Sequence, residues 1–305
     1  MFLISHWAAP PGVLVPVLLT AAIHARGLRR TTAGHSSAGR RSPGPPSARR
    51  RQRGREALLF YSGLATVLLA LVSPIDYWSG VDFWPHMLQH LILIFIAAPL
   101  IVLGAPWLPM LRGLPARPRR KLLRLVYTTP AGGRVRAALH ALGHPVVAVA
   151  AFLTVFLVWH LTVMYDLTLA NPYVHDLEHV CFLVIGVWLW SQLVGSYPYS
   201  PRWGPLPRVW LIAAVLFGNW MLAIALTFAR TPWYPAYARV TVPHMPLLAD
   251  QSLAGAMMWV LPMIPLGITA FTCLNVWLDA DADDDDHLQA MIDRTRATMS
   301  VAGGD

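Results

Sequence analysis

The strongest constraint on the fold is a series of apolar runs, each close to the length that a helix needs to cross a membrane. Seven runs can be read, at residues 2–25, 57–73, 84–103, 144–163, 174–194, 207–229 and 251–277. A spanning helix needs about 20 apolar residues, and helices satisfy their own backbone hydrogen bonds in lipid. Hydrophobic residues make up 56% of the 305 positions and charged residues 13%. The sequence therefore predicts an all-α, polytopic membrane bundle of about seven transmembrane helices.

Basic residues are distributed unevenly between the loops, and this predicts an orientation. Ten arginines lie between residues 26 and 55, and seven arginines with one lysine lie in the loop 104–143. The loops 74–83, 164–173 and 230–250 hold two arginines between them. Because arginine-rich short loops remain on the cytoplasmic side of a membrane, we expect the amino terminus outside and the carboxyl terminus inside.

The runs and the charged segments divide the chain into four parts. We expect a first transmembrane helix at 1–26, a basic flexible cytoplasmic linker at 27–56, a six-helix transmembrane core at 57–278, and an acidic cytoplasmic tail with a short helix at 279–305. The linker is rich in Arg, Ser, Gly and Pro, a composition typical of flexible segments. The net charge of +9 falls mainly in the predicted cytoplasmic loops, where anionic membrane lipid is the expected neighbour and no nucleic-acid partner is required.

Five histidines lie at the ends of three consecutive predicted spans. His86 and His90 are four residues apart, as are His175 and His179, so each pair occupies one helix face about one turn apart. His160 ends the span between them. Taken singly, each histidine is also consistent with an amphipathic side chain at the membrane surface. Since the predicted topology brings all five to the outer face, and ionisable groups in spans are costly unless they are functional, we predict that they form a metal site.

Further polar and sulfur-containing side chains lie near the same predicted face. The accessory residues that we expect are Glu178, Asp176, Asp250, Gln251, Met257 and Met258. A carboxylate next to a ligating histidine often accepts its second N–H, which is the role expected for Glu178 or Asp176. Asp250 is equally consistent with a helix cap. Imidazole with thioether suits copper(I), whereas imidazole with carboxylate suits zinc; the sequence favours copper and leaves zinc open.

These residues carry a resemblance to a known family. The sequence HMLQH at 86–90, followed by AAPLIVLGAP at 97–106, is similar to the signature of the CtaG-like assembly factors of caa(3)-type cytochrome c oxidase. Further positions that fit the family pattern are Trp159, His160, Tyr165, His175, His179, Trp190, Asp250, Gln251, Gly255 and Trp259. The resemblance, which covers about residues 60–277, implies a multi-pass protein of the bacterial plasma membrane that is needed for active oxidase. It implies oxidase subunits and a periplasmic copper chaperone as partners, with copper supply as the usual proposal.

The resulting hypothesis is a role without catalysis, in which copper(I) is held between the outer ends of the third, fourth and fifth spans and passed to the oxidase by ligand exchange. Two alternatives stay open. The letters HDLEH at 175–179 match the zinc-peptidase pattern H-x-x-E-H, and seven-span zinc hydrolases of the alkaline ceramidase kind also cluster histidines at one face; Glu178 or Asp250 would then be the base. The other alternative is haem, held by histidines from facing helices.

Overall fold

A computed structural model of the chain describes residues 6–37, 46–239 and 245–302. The chain is 84% helical, and the described residues form no strand. Six of the described helices are long and apolar enough to cross a membrane, or seven if one bent pair of helices counts as a single span. The predicted all-α, multi-pass membrane bundle is confirmed.

The helices vary widely in length. In chain order they are α1 (Pro11–Ser37), α2 (Pro46–Val72), α3 (Pro74–Ser79), α4 (Phe83–Ile92), α5 (Ala98–Leu103), α6 (Trp107–Gly113), α7 (Ala116–Thr128), α8 (Pro130–Leu142), α9 (Pro145–Trp159), α10 (Thr162–Ala170), α11 (Pro172–Leu193), α12 (Pro205–Thr227), α13 (Leu247–Val260) and α14 (Met263–Ala302). A π-helical segment, Leu93–Ala97, joins α4 to α5. A short 3-10 helix, Pro235–Arg239, lies between α12 and α13.

The candidate spans follow the predicted apolar runs closely, with shifted ends. They are Pro11–Arg30, Arg50–Val72, Phe83–Leu103, Pro172–Leu193, Pro205–Thr227 and Leu247–Ala282. The last is interrupted by a turn at residues 261–262, where Pro262 removes a backbone donor.

The fourth span is built differently from the predicted run 144–163. Helix α9 ends at Trp159 and meets α8 at a bend of 77°. The residue at the bend, His144, is extended, with φ −78° and ψ 128°, because Pro145 disfavours the helical conformation in the residue before it. With 15 residues, α9 is shorter than the roughly 20 that a straight span requires.

Helix extends into the segments predicted to be linker and tail. Helix α1 continues to Ser37 and α2 begins at Pro46, so the described parts of 27–56 are helical, while 38–45 lie outside the described residues. Arginine, alanine and glutamine are strong helix formers even without an apolar face. Helix α14 runs without a break from the last span to Ala302, and so occupies the described part of 279–305.

The helix that carries His86 and His90 is the central one. Of the most apolar 18 residues in each candidate span, 72% are buried in Phe83–Leu103, against at most 39% in the others. The outer helices therefore leave most of their apolar surface to lipid. Large buried side chains around the central helix include Phe152, Phe156, Phe182 and Trp190.

The π-helical segment ties the central helix to α11. In the π register the backbone N–H of Ala98 donates to the carbonyl of Leu93. The next donor in that register would come from residue 99, which is a proline without an N–H. The carbonyl of Ile94 is left free of this partner, and the indole N–H of Trp190 donates to it at 2.8 Å. This contact fixes the two histidine-bearing helices against each other.

Basic segments meet at the opposite end of the bundle from the histidines. The Arg30 guanidinium donates to the carbonyls of Arg112 and Leu114, each at 2.9 Å, and Arg202 donates to the carbonyl of His140 at 2.8 Å. These contacts join three segments that the charge pattern assigns to one side. Which end faces the cytoplasm remains a prediction.

Candidate metal centre

Two helices bring four of the five predicted histidines together. On α4 the rings of His86 and His90 lie one turn apart, with centroids 4.5 Å apart, and on α11 those of His175 and His179 lie 4.2 Å apart. The pairs face each other across the helix interface: the centroid distance is 4.8 Å for His86 and His175 and 5.5 Å for His90 and His179. Spacing of four residues on each helix is what allows both rings of a pair to reach the interface.

Two overlapping sets of ligand atoms have the separation that a bound ion requires. One ligand atom from each of His86, His90 and His179 lies within 4.8 Å of the others, and the same holds for His86, His175 and Glu178. We call the first set the inner triad and the second the outer triad. His86 belongs to both.

The centre is almost closed to solvent. His86 is 0% exposed and Glu178 is 1% exposed, His90 and His179 are also buried, and His175 is half-buried. The Nε2 atoms of His90, His175 and His179 are buried without a hydrogen-bond partner. Leaving several buried polar atoms unpaired costs free energy, and a cation between the rings would satisfy them together.

Glu178 lies among the candidate ligand atoms. Its Oε2 atom is 3.2 Å from Nε2 of His86 and 3.6 Å from Nε2 of His90. In the part of the chain that the structure describes, these two histidines are its ion-pair contacts. A buried carboxylate that lacks a lysine or arginine partner must be protonated or must share a cation. Its expected role as an acceptor for an imidazole N–H stays a prediction. Asp176, given the same expected role, is exposed.

A tyrosine that the sequence analysis did not select lies behind His86. The Nδ1 atom of His86 is 3.3 Å from the hydroxyl of Tyr237. That hydroxyl donates to the carbonyl of Ser79 at 3.0 Å and lies 2.6 Å from the hydroxyl of Tyr165. Burial raises the pKa of both tyrosines well above its usual value. Tyr237 lies in the connection between α12 and α13, and no spacing in the sequence marks it.

The fifth histidine, His160, lies at the edge of the centre. Its Nδ1–H donates to the carbonyl of Phe156 at 2.6 Å, and its Nε2 is buried without a partner. Its ring centroid is 6.2 Å from that of Phe182, which in turn is 4.5 Å from the ring of His90. His160 is therefore adjacent to the converging ligand atoms and is not a member of either triad.

The accessory residues at the start of α13 make structural contacts. The Oδ2 and Oδ1 atoms of Asp250 accept the backbone N–H groups of Phe83 and Trp84 at 2.7 and 2.8 Å, so Asp250 caps α4 and not its own helix. Gln251 accepts the backbone N–H of Trp233 at 2.6 Å and donates to the carbonyl of Leu226 at 3.1 Å. Both side chains hold the histidine end of the bundle together.

The two methionines on α13 pack in the hydrophobic core. Met258 is buried within the main core cluster, and Met257 packs against that cluster. The donors that converge are imidazole nitrogens and one carboxylate oxygen, a set that fits copper or zinc. With three ligands in each triad, the centre can hold an ion while leaving a position for an incoming ligand.

Comparison with known proteins identifies one family. Residues 38–280 match the family model described as cytochrome c oxidase caa3 assembly factor. Among curated proteins, the chain is 26% identical over 234 residues to an uncharacterized protein of Mycobacterium bovis and to one of Mycobacterium tuberculosis, and 24% identical over 229 residues to one of Mycobacterium leprae. These matches cover 72–73% of this chain but 34% of each relative, so the chain spans about a third of their length. No solved structure matches the chain.

Proposed function

The chain belongs to the family of cytochrome c oxidase caa3 assembly factors, and from this membership we propose that it binds copper(I) at the histidine centre and passes it to an oxidase subunit. The observation that carries the proposal is the inner triad. Three buried imidazoles from two helices offer ligand atoms within 4.8 Å of one another, and the Nε2 atoms of His90 and His179 lack a hydrogen-bond partner. Copper is the cargo in this proposal and not a resident cofactor.

The converging side chains can bind copper although none of them offers a sulfur ligand. Imidazole nitrogens bind both copper and zinc well, and the inner triad of His86, His90 and His179 contains imidazoles only. The outer triad adds the Glu178 carboxylate, a donor that favours zinc. A delivery protein must also release its ion, and a site of three ligands exchanges its cargo more easily than a closed site of four.

Transfer proceeds by exchange of ligands, so no covalent bond is made or broken and the protein is not an enzyme in this proposal. The arginine-rich end faces the cytoplasm of a bacterial plasma membrane, and the histidine end faces outward. An oxidase subunit, or a periplasmic copper chaperone that supplies the ion, would then meet the histidine end from the outer side.

The double variant His86→Ala, His90→Ala tests the proposal. It removes two of the three inner ligands and two of the four converging histidines, so copper bound by the purified, detergent-solubilised protein should fall from about one ion per chain to near zero. Copper and zinc are measured by mass spectrometry after anaerobic loading and gel filtration.

His24→Phe is the matched control. His24 is also fully buried and also has an Nε2 atom without a hydrogen-bond partner, and its ring centroid lies 4.0 Å from that of Phe60. It lies on α1 against Phe60 and Tyr61 of α2, with no histidine pair beside it among the described residues, so this variant should keep the copper content of the wild type. If the double variant binds as much copper per chain as the wild type, the proposal is wrong.

A zinc hydrolase is the second candidate, because Glu178 lies beside His86 at the centre and is a possible base for a zinc-bound water. In that case zinc and not copper would co-purify, and the purified protein would hydrolyse an amide-linked lipid. A Soret absorption band would instead identify a haem protein. The same purified sample therefore separates the three functions.

A further inference from the structure

A cavity adjoins the histidine centre in the described part of the chain. Its volume is about 690 Å³, and it lies between the connection after α3, the end of α10, the start of α11 and the 3-10 helix. Its rim includes the exposed residues Gly80, Ala170 and Pro172, and its floor includes the buried Tyr237. His175 also lines it. The cavity thus leads from the surface to one member of the outer triad.

The two triads differ in their access to this cavity. His175, the half-buried histidine, belongs to the outer triad, whereas His90 and His179 of the inner triad are buried and do not line the cavity. An ion that enters through the cavity therefore meets the outer triad first. His86 is common to both triads, and since its Nδ1 atom faces Tyr237 at 3.3 Å, one nitrogen, Nε2, must serve both.

The wall of the cavity is suited to a cation. Asp166 lines it, and its Oδ1 atom is buried without a hydrogen-bond partner. None of the described residues that line it is lysine or arginine. A carboxylate that lines a cleft concentrates cations there and raises the rate at which they enter.

We propose that this cavity is the route by which the metal cargo enters and leaves, and that the ion moves in two steps. It binds first to the outer triad of His86, His175 and Glu178, and it then passes to the inner triad by exchanging His175 and Glu178 for His90 and His179. His86 stays bound throughout, so the ion is never free in the protein. The proposal rests on the proposed function in requiring that the centre holds a metal.

This arrangement separates two properties of the site. Because both triads share Nε2 of His86, the centre holds one ion at a time. His175 lies on the route and should control the rates of loading and release, whereas His90 lies at the end of the route and should control retention.

The experiment compares wild-type protein with His175→Ala, His90→Ala and Asp166→Asn in detergent. Copper(I) is supplied anaerobically as its cationic acetonitrile complex, and release is followed by absorbance of a saturating chromophoric copper(I) chelator.

His175→Ala should still bind one ion per chain, with loading and release slowed about tenfold or more. His90→Ala should release copper about tenfold faster. Asp166→Asn should load several-fold more slowly at low salt, and the difference should shrink at high salt.

Two control variants match these changes. Tyr173→Ala is the control for His175→Ala: its side chain is 81% exposed, lies in the first turn of α11 and does not line the cavity. Asp279→Asn is the control for Asp166→Asn, because it removes an exposed carboxylate from α14. Both should load and release copper at wild-type rates.

The outcomes are distinct. If the wild-type protein binds no copper, both the proposed function and the route are wrong. If the wild-type protein binds copper and His175→Ala exchanges it at the wild-type rate, the proposed function stands and the route is wrong. Loss of all bound copper in His175→Ala would also overturn the two-step scheme, because the inner triad could not then hold the ion alone.

Discussion

The hydroxyl of Tyr237 determines which nitrogen of His86 is available as a ligand. Its proton is donated to the carbonyl of Ser79, and the hydroxyl of Tyr165 lies within hydrogen-bonding distance on another side. The Nδ1 atom of His86 must then carry the proton and donate to Tyr237, an assignment made from the hydrogen-bond network. Nε2 is left as a bare acceptor opposite the Glu178 carboxylate at 3.2 Å. Two acceptors at that distance need a cation or a proton between them.

Replacing Tyr237 by phenylalanine should therefore weaken metal binding without removing a ligand. The loss of the partner behind a ligating imidazole lowers metal affinity by about 10–100-fold, while the number of ions bound at saturation stays the same. Competition with a chromophoric copper(I) chelator measures the affinity.

Tyr234→Phe is the control for this variant. The hydroxyl of Tyr234 is also buried and also donates to a backbone carbonyl, that of His160 at 2.8 Å, but among the described residues it accepts no hydrogen bond from an imidazole. Equal affinities for the two variants would show that the Tyr237 hydroxyl does not orient His86.

The histidine pairs were predictable from sequence because their geometry is local. A spacing of four places His86 beside His90, and His175 beside His179, on any helix. The role of Tyr237 was not predictable, since it depends on where the chain between α12 and α13 returns to the bundle. The same holds for Glu178: its spacing shows that it shares a helix with His175, and only the packing of α11 on α4 brings it to His86.

Helix α4 receives its amino-terminal cap from another helix. A helix begins with backbone N–H groups that lack an intrahelical partner. Asp250 on α13 accepts hydrogen bonds from two of these groups, the N–H groups of Phe83 and Trp84. Its negative charge also stabilises the positive end of the helix dipole. Because His86 follows within one turn of this cap, the contact holds the first candidate ligand in place.

Asp250→Ala should lower the stability of the protein. The loss of a capping side chain costs about 1–2 kcal/mol, and here two donors would be left without their acceptor, so the midpoint of thermal unfolding in detergent should fall. Asp250→Asn keeps one acceptor oxygen and should lie between the alanine variant and the wild type. An alanine variant that unfolds at the wild-type temperature would contradict the assigned cap.

Sequence signals located most helices but missed two features that position them. The bend before Pro145 follows from a local rule about the residue that precedes a proline, although hydropathy alone reads the run 144–163 as one span. The π-helical segment before Pro99 depends on the contact of Trp190 with Ile94 across the bundle. Apolar runs report that a helix is present, whereas breaks and caps depend on single residues and on tertiary contacts.

At the scale of the whole molecule, the bundle has two chemically different ends. The histidine centre, Tyr237 and the cavity lie at one end, and the contacts of Arg30 and Arg202 lie at the other. At the arginine end, α7 is a basic helix whose leucines, including Leu122 and Leu125, are largely exposed, as expected for a helix that lies on anionic lipid. Charge distribution therefore predicts which segments share an end, and the helix contacts agree with that grouping.

The orientation of these ends in the membrane can be measured with single cysteines. In a background where the free residues Cys181 and Cys273 are replaced by alanine, Thr128→Cys places a thiol at the exposed end of α7, and Tyr173→Cys places one beside the histidine centre. A membrane-impermeant maleimide added to intact cells should label position 173 and leave position 128 unlabelled until the cells are permeabilised, because arginine-rich loops remain inside. The reverse pattern would place the histidine end in the cytoplasm, and copper would then have to be delivered from that side.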